Sequence, residues 1–367
     1  MLTMYAPRQI TWPNALTSML LAVVLTLGTG HAASAAPLPT AQARAIDTIL
    51  AKSVKPNGPG AVVTVTDHGQ VVYQKTIGLA DIAKKTPLTA QSVFDLASCS
   101  KHFTAMAVLI LVDRGLLSLN DDVRKYVPEL THKGSKTIRI VDLLHMVSGL
   151  AIYTSFMDDY DGVDNVAIAK AAAKQPMLFA TGTKYEYNNT DYTLAALVVE
   201  RASGQRFSTF MQAAVFGPLG MSHTVIMDAP NMQIRDRTPG YTVTNGKFVA
   251  ARSDTVMVGD GNVYTSADDL VAWDRALLKN TLVKPATQRL AVTSGTLASG
   301  AKTEYGFGWT VPTNDPKNVW HDGSWDGTAT YISRGLDDGL TLTILSNNDK
   351  LDVSDLAGGI EGVLRPE

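Results

Sequence analysis

Short runs rich in β-branched and apolar residues lie near both ends of the chain, a pattern typical of β-strands. The runs GAVVTVTD and QVVYQKTIG are separated by the dipeptide HG and predict a β-hairpin. Between residues 303 and 347, the runs YGFGWTVP, TATYISRG and LTLTILSN predict three further strands. Strands are therefore expected from both ends of the chain.

Helical spacing of apolar residues dominates the remaining sequence. TAQARAIDTILAKSV predicts a helix before the hairpin, and a closing helix is predicted from about Leu351 to Val363. From residue 98 to about residue 300 the signals are mostly those of helices and loops, as in FTAMAVLILVDRG and DYTLAALVVERASG. Each of these two runs ends in a glycine that can stop a helix.

This order of elements predicts a mixed α/β fold of the α+β type. One antiparallel sheet, built from both termini, is flanked by helices and carries an inserted, mostly helical lobe. The predicted sheet lobe spans about residues 37–97 and 303–367, and the helical lobe spans about residues 98–302. A ligand cleft is expected between the two lobes.

The N-terminal residues 1–36 have the pattern of a secretory signal peptide. Arg8 precedes an acid-free apolar stretch, and the small residues of HAASAAPLP predict cleavage near Ala35 or Ala36. A membrane anchor is the alternative, but roughly a dozen apolar residues are fewer than the ~20 that span a bilayer. We expect a periplasmic or secreted protein with no stable membrane insertion after cleavage.

Composition removes several classes of function. Net charge is -2 and no block of like charges occurs, so no nucleic-acid interface is expected. The 7 histidines are scattered without ligand spacing, so neither a metal nor another cofactor is expected. Cys99 is the only cysteine and cannot form an internal disulfide, and we expect it to be buried.

Three candidate nucleophiles, Ser98, Cys99 and Ser100, stand directly before Lys101 and an apolar run. On a helix that starts near Ser98, the Ser98 hydroxyl and the Lys101 amine share one face, and a desolvated amine can accept the hydroxyl proton. A helix cap followed by a solvated lysine is the commoner reading of S-x-x-K. A second copy, SGAK at residues 299–302, has no apolar helix behind it and is set aside.

Two more motifs follow in order, Tyr187 and Asn189 as Y-x-N before a helix, and His321 and Gly323 as H-x-G before a strand. With the stretch FDLASCSKHFTAMAVLILVDRG, they resemble the class C β-lactamase-like serine hydrolases of the serine β-lactamase and penicillin-binding protein superfamily. The resemblance covers essentially the whole mature chain. It implies a β-lactamase/transpeptidase-like fold.

The resemblance also implies roles for particular residues. Ser98 is acylated, and Lys101 and Tyr187 share the proton transfers, with the phenol kept acidic by nearby positive charge. Asn189 matches the position that hydrogen-bonds the lysine and the substrate amide. The backbone N–H groups of Ser98 and Ser324 form the oxyanion hole. Water then cleaves the acyl-enzyme.

The third motif departs from the family's Lys-Thr-Gly, because His321, Asp322 and Gly323 occupy it. A histidine with a pKa of about 6.5 is mostly neutral at pH 7, so it anchors a carboxylate weakly and is expected to do so better at lower pH. Within the family, H-x-G resembles the D-aminopeptidases, peptidase-like members and some esterases more than the cephalosporinases. The resemblance therefore implies acyl transfer on a small-molecule ester or a peptide, with weak or absent β-lactam hydrolysis. A true β-lactamase, a D-alanyl-D-alanine carboxypeptidase, and a sensor that acylates without turnover are the alternatives.

Other polar residues are expected to be structural. His102 and His145 are predicted to pack, and Tyr153 to line the cleft. Asp260 and the acids of SADDL are interpreted as loop and capping residues. The two tryptophans that flank H-x-G either line an acyl pocket or pack on the helical lobe. The sequence leaves the oligomeric state open.

Overall fold

The computed structural model describes residues 36–131, 137–159, 162–251, 253 and 255–366. The predicted signal peptide, apart from Ala36, lies outside these residues. Among the described helices, none combines the length and the apolar character that a membrane crossing requires.

The helices mostly follow the predicted apolar periodicity. The largest difference is at Ser98, where a 3₁₀ turn, Ala97–Ser100, precedes the α-helix, and this turn keeps residues three apart on one face. The α-helices are α1 (Thr40–Ser53), α2 (Lys101–Asp113), α3 (Ile140–Leu144), α4 (Asn165–Ala172), α5 (Asn189–Ser203), α6 (Phe207–Met211), α7 (Gly217–Leu219), α8 (Ala267–Lys279), α9 (Pro285–Ala291) and α10 (Val353–Leu364). Further 3₁₀ turns are Val123–Lys125 and Tyr153–Ser155, and a π-helical turn spans Gln212–Phe216.

Within the described residues, the strands form one large sheet and three small ones. They are β1 (Ala61–Asp67), β2 (Gln70–Ile77), β3 (Leu79–Asp81), β4 (Thr86–Pro87), β5 (Phe94–Asp95), β6 (Val225–Ile226), β7 (Gly240–Thr244), β8 (Lys247–Ala251), β9 (Val263–Thr265), β10 (Asn318–Trp325), β11 (Thr328–Gly335) and β12 (Leu340–Ser346). The large sheet has the order β10-β11-β12-β1-β2. All four of its strand pairs are antiparallel. Because β1 and β2 come from the N-terminal part and β10 to β12 from the C-terminal part, the sheet is built from both ends of the chain, as predicted.

Period-two alternation separates the two faces of this sheet. On β1, Val63 and Val65 pack with residues of α1 and α10 in one apolar cluster. Val62 faces the opposite side and belongs to the main core, which contains most of α2 and α5. The sheet therefore separates the two terminal helices from the helical region that carries Ser98.

The predicted strand YGFGWTVP is wrong. The segment is a loop held by bridges between Tyr305 and Thr310 and between Thr310 and Trp320. Gly308 has φ +77, and a Cβ there would lie 2.5 Å from the backbone nitrogen of His102. The loop thus packs directly against the start of α2, and this close approach prevents a regular strand. His102 stacks against Trp309 with ring centroids 4.7 Å apart, in the packing role expected for it.

The H-x-G motif lies within β10 and not before a strand as expected. β10 is the edge strand of the large sheet, and its partner is β11. On its open side, Trp320 exchanges backbone hydrogen bonds with Thr310, at 2.7 and 3.2 Å. The part of β10 that follows Trp320 is therefore free to face the segment that carries Ser98.

Candidate active site

The turn between β5 and α2 presents Ser98 to the cleft. Ala97 has φ +47, a left-handed conformation that is unfavourable for a residue with a side chain. Cys99 is buried, as predicted, with Sγ 3.2 Å from the carbonyl oxygen of His321. Ser100 is also buried and accepts a hydrogen bond from the N–H of Val263. Of the three adjacent candidates, Ser98 lines the cavity.

Lys101 is fully buried and directed at Ser98. Its Nζ donates hydrogen bonds to Ser98 Oγ at 3.0 Å and to the carbonyl oxygen of Asp260 at 2.8 Å. Burial lowers the pKa of Lys101 to about 8, although Asp260 and other nearby acids act in the opposite direction. A substantial fraction of this amine is therefore neutral near pH 8 and can accept a proton from Ser98.

The second S-x-x-K copy lacks this geometry. Lys302 Nζ donates to Thr296 Oγ1 at 2.9 Å and both side chains are exposed. Ser299 Oγ accepts a backbone hydrogen bond from Ala301. The four-residue pattern alone therefore does not create a serine–lysine pair.

Tyr187 contacts the same centre with its ring. Lys101 Nζ lies 4.9 Å from the ring centroid. Loss of hydration raises the pKa of Tyr187 well above 10, and the interaction with Ser98 opposes this only in part. Tyr187 as a whole is 38% exposed to solvent. The expectation of an acidic phenol is therefore wrong, because loss of hydration and the nearby acids outweigh the interaction with Ser98, and the hydroxyl holds its proton.

Asn189 is the first residue of α5 and lines the cavity beside Ser98. The expected hydrogen bond from Lys101 is not formed, because the lysine donates to Ser98 and to the Asp260 carbonyl. Within the described part of the chain, Asn189 Oδ1 has no hydrogen-bond partner. The oxygen is itself buried, so this acceptor is left unused within the described residues.

The backbone of β10 completes the centre. A Cβ on Gly323 would lie 2.5 Å from the carbonyl oxygen of Leu96 and 3.0 Å from the nitrogen of Ser98. Ser324 is four residues after Trp320, so its N–H points to the same open edge. Ser98 lies in the first turn of its helix, where N–H groups have no intrahelical acceptor. These two N–H groups therefore lie at one edge of the cavity, which both serines line.

His321 does not face the cavity. Its imidazole is 2% exposed, with Nε2 2.9 Å from the hydroxyl of Tyr305 and Nδ1 2.5 Å from the carbonyl oxygen of Asp322. The carbonyl can only accept, so Nδ1 carries the proton and Nε2 accepts from Tyr305. Burial, assisted by the charge of Lys101, lowers the pKa of His321 to about 3. The expectation that His321 titrates near neutral pH and anchors a carboxylate is therefore wrong.

Two residues of this centre were not identified from the sequence. Asp260, expected to be a loop acid, accepts the Lys101 hydrogen bond through its carbonyl. Tyr305 lies between two histidines, with its hydroxyl on His321 and its carbonyl oxygen 3.0 Å from His145 Nδ1. The glycines on both sides of Asp260 were the available signal, since they mark a backbone that approaches other elements closely.

The cavity has a volume of about 380 Å³, including its open mouth. Its wall is mixed, with apolar groups and two carboxyl groups, of which that of Asp260 is buried. Trp325 belongs to this wall, whereas Trp320 stacks on Tyr331. The lining residues are Asp95, Ala97, Ser98, Tyr153, Asn189, Thr255, Met257, Asp260, Gly261, Asn262, Ser324 and Trp325.

Known proteins are similar to this chain over most of its length. The chain is 29% identical over 315 residues to penicillin-binding protein 4* of Bacillus subtilis, an alignment that covers 78% of this chain and 68% of the relative. It is 28% identical over 315 residues to the protein flp of Staphylococcus aureus, with coverage of 82% and 62%. The chain thus spans about two thirds of the length of these relatives.

Solved structures share the fold. A D-stereospecific amidohydrolase from Streptomyces superposes with a TM-score of 0.73 at 21% identity, covering 89% of this chain and 99% of that chain. EstCE1, described as a hydrolase with promiscuous acyltransferase activity, gives a TM-score of 0.75 at 18% identity, with coverage of 88% and 98%. The family model Beta-lactamase matches residues 44–361. The chain belongs to the Beta-lactamase family of serine hydrolases.

Proposed function

We propose that this protein hydrolyses an ester or an amide, including peptides, through an acyl-enzyme on Ser98. The contact between Lys101 Nζ and Ser98 Oγ, 3.0 Å long, carries the proposal. The amine is buried and its pKa is lowered to about 8, so it can act as a general base.

The acylation step uses the Ser98 hydroxyl, the Lys101 amine, the Tyr187 phenol and two backbone N–H groups. Ser98 Oγ forms a bond to the substrate carbonyl carbon as its proton passes to neutral Lys101 Nζ, and the carbonyl π electrons move to oxygen. The N–H groups of Ser98 and Ser324 stabilise that oxyanion. When the oxyanion collapses, the bond to the leaving group breaks, and the alcohol or amine takes a proton from the Lys101 and Tyr187 pair.

Deacylation reverses these roles. Water adds to the acyl carbon and gives a proton to the same pair. The bond to Ser98 Oγ then breaks, Oγ regains a proton, and the carboxylic acid leaves. The phenol of Tyr187 is protonated at rest, which suits a proton donor to a leaving group.

The choice of ester or amide over β-lactam rests on the third motif. His321 stands where the family's Lys-Thr-Gly motif has a cation, and its imidazole is buried on Tyr305. A carboxylated β-lactam therefore lacks the lysine contact that this motif supplies. The amidohydrolase and the acyltransferring hydrolase among the structural neighbours support the same substrate classes.

A second candidate is a protein that acylates with β-lactams or peptidoglycan and does not turn over. The similarity to penicillin-binding protein 4* favours it. Turnover separates the two candidates, because an enzyme releases product well beyond one equivalent. A stable acyl adduct in the intact mass would instead indicate the binding protein.

The test compares wild type with Ser98→Ala on short-chain nitrophenyl esters, D-amino-acid peptides and a chromogenic cephalosporin. We expect steady turnover of an ester or peptide by wild type, little cephalosporin hydrolysis, and loss of turnover in Ser98→Ala. Ser299→Ala is the matched control, because Ser299 has the same motif without the lysine contact. Fast cephalosporin hydrolysis would favour a true β-lactamase, and D-alanine release from a D-alanyl-D-alanine peptide would favour a carboxypeptidase.

Export is proposed from the N-terminal sequence alone. Fractionation of cells that express the full chain, followed by N-terminal sequencing, tests it. We expect mature protein outside the cytoplasm that begins near Ala36 or Pro37. An intact N-terminus in the membrane fraction would indicate an anchor.

A further inference from the structure

Asp260 contacts the catalytic pair through two different groups. Its carbonyl oxygen accepts a 2.8 Å hydrogen bond from Lys101 Nζ. Its carboxylate accepts hydrogen bonds from Tyr153, O–H to Oδ2 at 2.8 Å, and from Thr193, Oγ1 to Oδ1 at 3.2 Å. Asp260 is 7% exposed. This one buried loop residue therefore contacts Lys101 through its backbone, and both of its carboxylate oxygens accept hydrogen bonds.

The loop that carries Asp260 is fixed against two helices. Thr104 of α2 donates a 2.7 Å hydrogen bond to the carbonyl oxygen of Gly259. Gly259 has φ +108, and a Cβ there would lie 2.4 Å from the carbonyl oxygen of Tyr192 on α5. Only glycine allows this approach, and the contact sets the position of Asp260 relative to Lys101.

The carbonyl contact fixes the direction of the amine. A neutral amine has two N–H donors and one lone pair. If one N–H remains on the Asp260 carbonyl, the lone pair can turn to Ser98 Oγ, which is 3.0 Å away. A proton can then move from the hydroxyl to the amine without a rearrangement of the lysine side chain.

The carboxylate acts through its charge. Burial raises the pKa of Asp260, whereas Lys101 and the hydrogen bonds from Tyr153 and Thr193 favour the ionised form. In turn, the charge of Asp260 is the largest of the effects that raise the pKa of Lys101 and so oppose burial. The other titratable groups around Lys101 are Cys99, Tyr187, Tyr192, His321 and Asp322.

We propose that Asp260 is a positioning residue: its carbonyl orients the Lys101 amine, and its hydrogen-bonded carboxylate sets how strongly that amine holds the Ser98 proton. The inference rests on the proposed acyl-transfer function. It assigns the loop of residues 259–261 a part in the reaction that does not require contact with substrate.

The test is the pH profile of kcat/KM for a neutral nitrophenyl ester, measured with wild type and Asp260→Asn. The acidic limb in wild type is expected near pH 8, where Lys101 loses its proton. Removal of the negative charge makes the amine easier to deprotonate, so the limb moves to lower pH, by about one unit. The plateau above the limb should fall about tenfold, because a weaker base removes the proton less readily.

Asp269→Asn is the matched control. Asp269 is also a buried aspartate, but its carboxylate accepts hydrogen bonds from Thr224 and from the N–H of His223, away from Lys101. This variant should lose stability without moving the limb. An unmoved limb in Asp260→Asn, or a uniform loss at every pH, would reduce Asp260 to a structural role and overturn the inference.

If Asp260→Asn does not fold, Tyr153→Phe/Thr193→Val replaces it. This double variant removes both hydrogen bonds that the carboxylate accepts, so its charge is no longer held in the same place relative to Lys101, and the limb moves from its wild-type position by less than in Asp260→Asn. No movement would overturn the inference. Failure of the proposed function can be distinguished from failure of this inference, because in that case activity would persist in Ser98→Ala.

Discussion

The two walls of the cleft contribute to the site in different ways. On the α2 wall, side chains carry the chemistry, since Lys101 Nζ lies 3.0 Å from Ser98 Oγ. On the β10 wall, the backbone carries it, since Gly323 lies against the Ser98 nitrogen and His321 points away to Tyr305. A motif can therefore locate a site correctly while its most conspicuous side chain has another task.

This comparison predicts the largest effect on the α2 wall. Ser98→Ala should lower kcat/KM for a nitrophenyl ester by about 10⁴-fold or more, because loss of the nucleophile removes the covalent route. Thermal unfolding should change little, since Ser98 is partly exposed to the cavity. Activity within tenfold of wild type would mean that another group is acylated.

On the β10 wall, Gly323→Ala should have the next largest effect. The added Cβ would lie 2.5 Å from the backbone carbonyl oxygen of Leu96, so the strand must move away from Ser98. We expect kcat/KM to fall by about 10²-fold, the typical effect of losing one oxyanion-hole donor.

Gly358→Ala in α10 is the matched control for that variant, because a Cβ there meets nothing within 4 Å. It should retain full activity and stability. Gly323→Ala with activity near that of wild type would contradict a backbone role for β10.

Cys99→Ala sharpens the contrast between neighbours in the chain. The thiol is fully buried, and burial raises its pKa to about 12, so it is neither nucleophilic nor accessible. We expect kcat/KM within about threefold of wild type and slow labelling of native protein by iodoacetamide at pH 8. A loss as large as that of Ser98→Ala would reassign the nucleophile.

The smallest effect concerns His321. Because its pKa is lowered to about 3, the imidazole stays neutral from pH 5.5 to 8 and cannot alter carboxylate binding in that range. Asp95 lines the same cavity, and burial raises its pKa to about 6, so KM itself can vary with pH. We therefore expect KM for a carboxylated ester to change with pH equally in wild type and His321→Gln. A pH dependence lost only in His321→Gln would restore the anchoring role.

The sequence predicted the features that depend on local periodicity. Strand runs at both ends located the large sheet, and the helical phase of Ser98 and Lys101 selected the pair that the fold brings together. The orientation of His321 was not predictable, because on an edge strand the same alternation places a residue on either face. Asp260 was missed because it reaches Lys101 across 159 positions, through a carbonyl that every residue has.

The central claim is that Ser98 is the residue that becomes acylated. A nitrophenyl phosphonate ester that reacts with activated serines, followed by intact mass and peptide mapping, tests it most directly. We predict one equivalent of label on Ser98 in wild type and none in Ser98→Ala. Label on Cys99 or Ser100, or equal labelling of Ser98→Ala, would contradict the account.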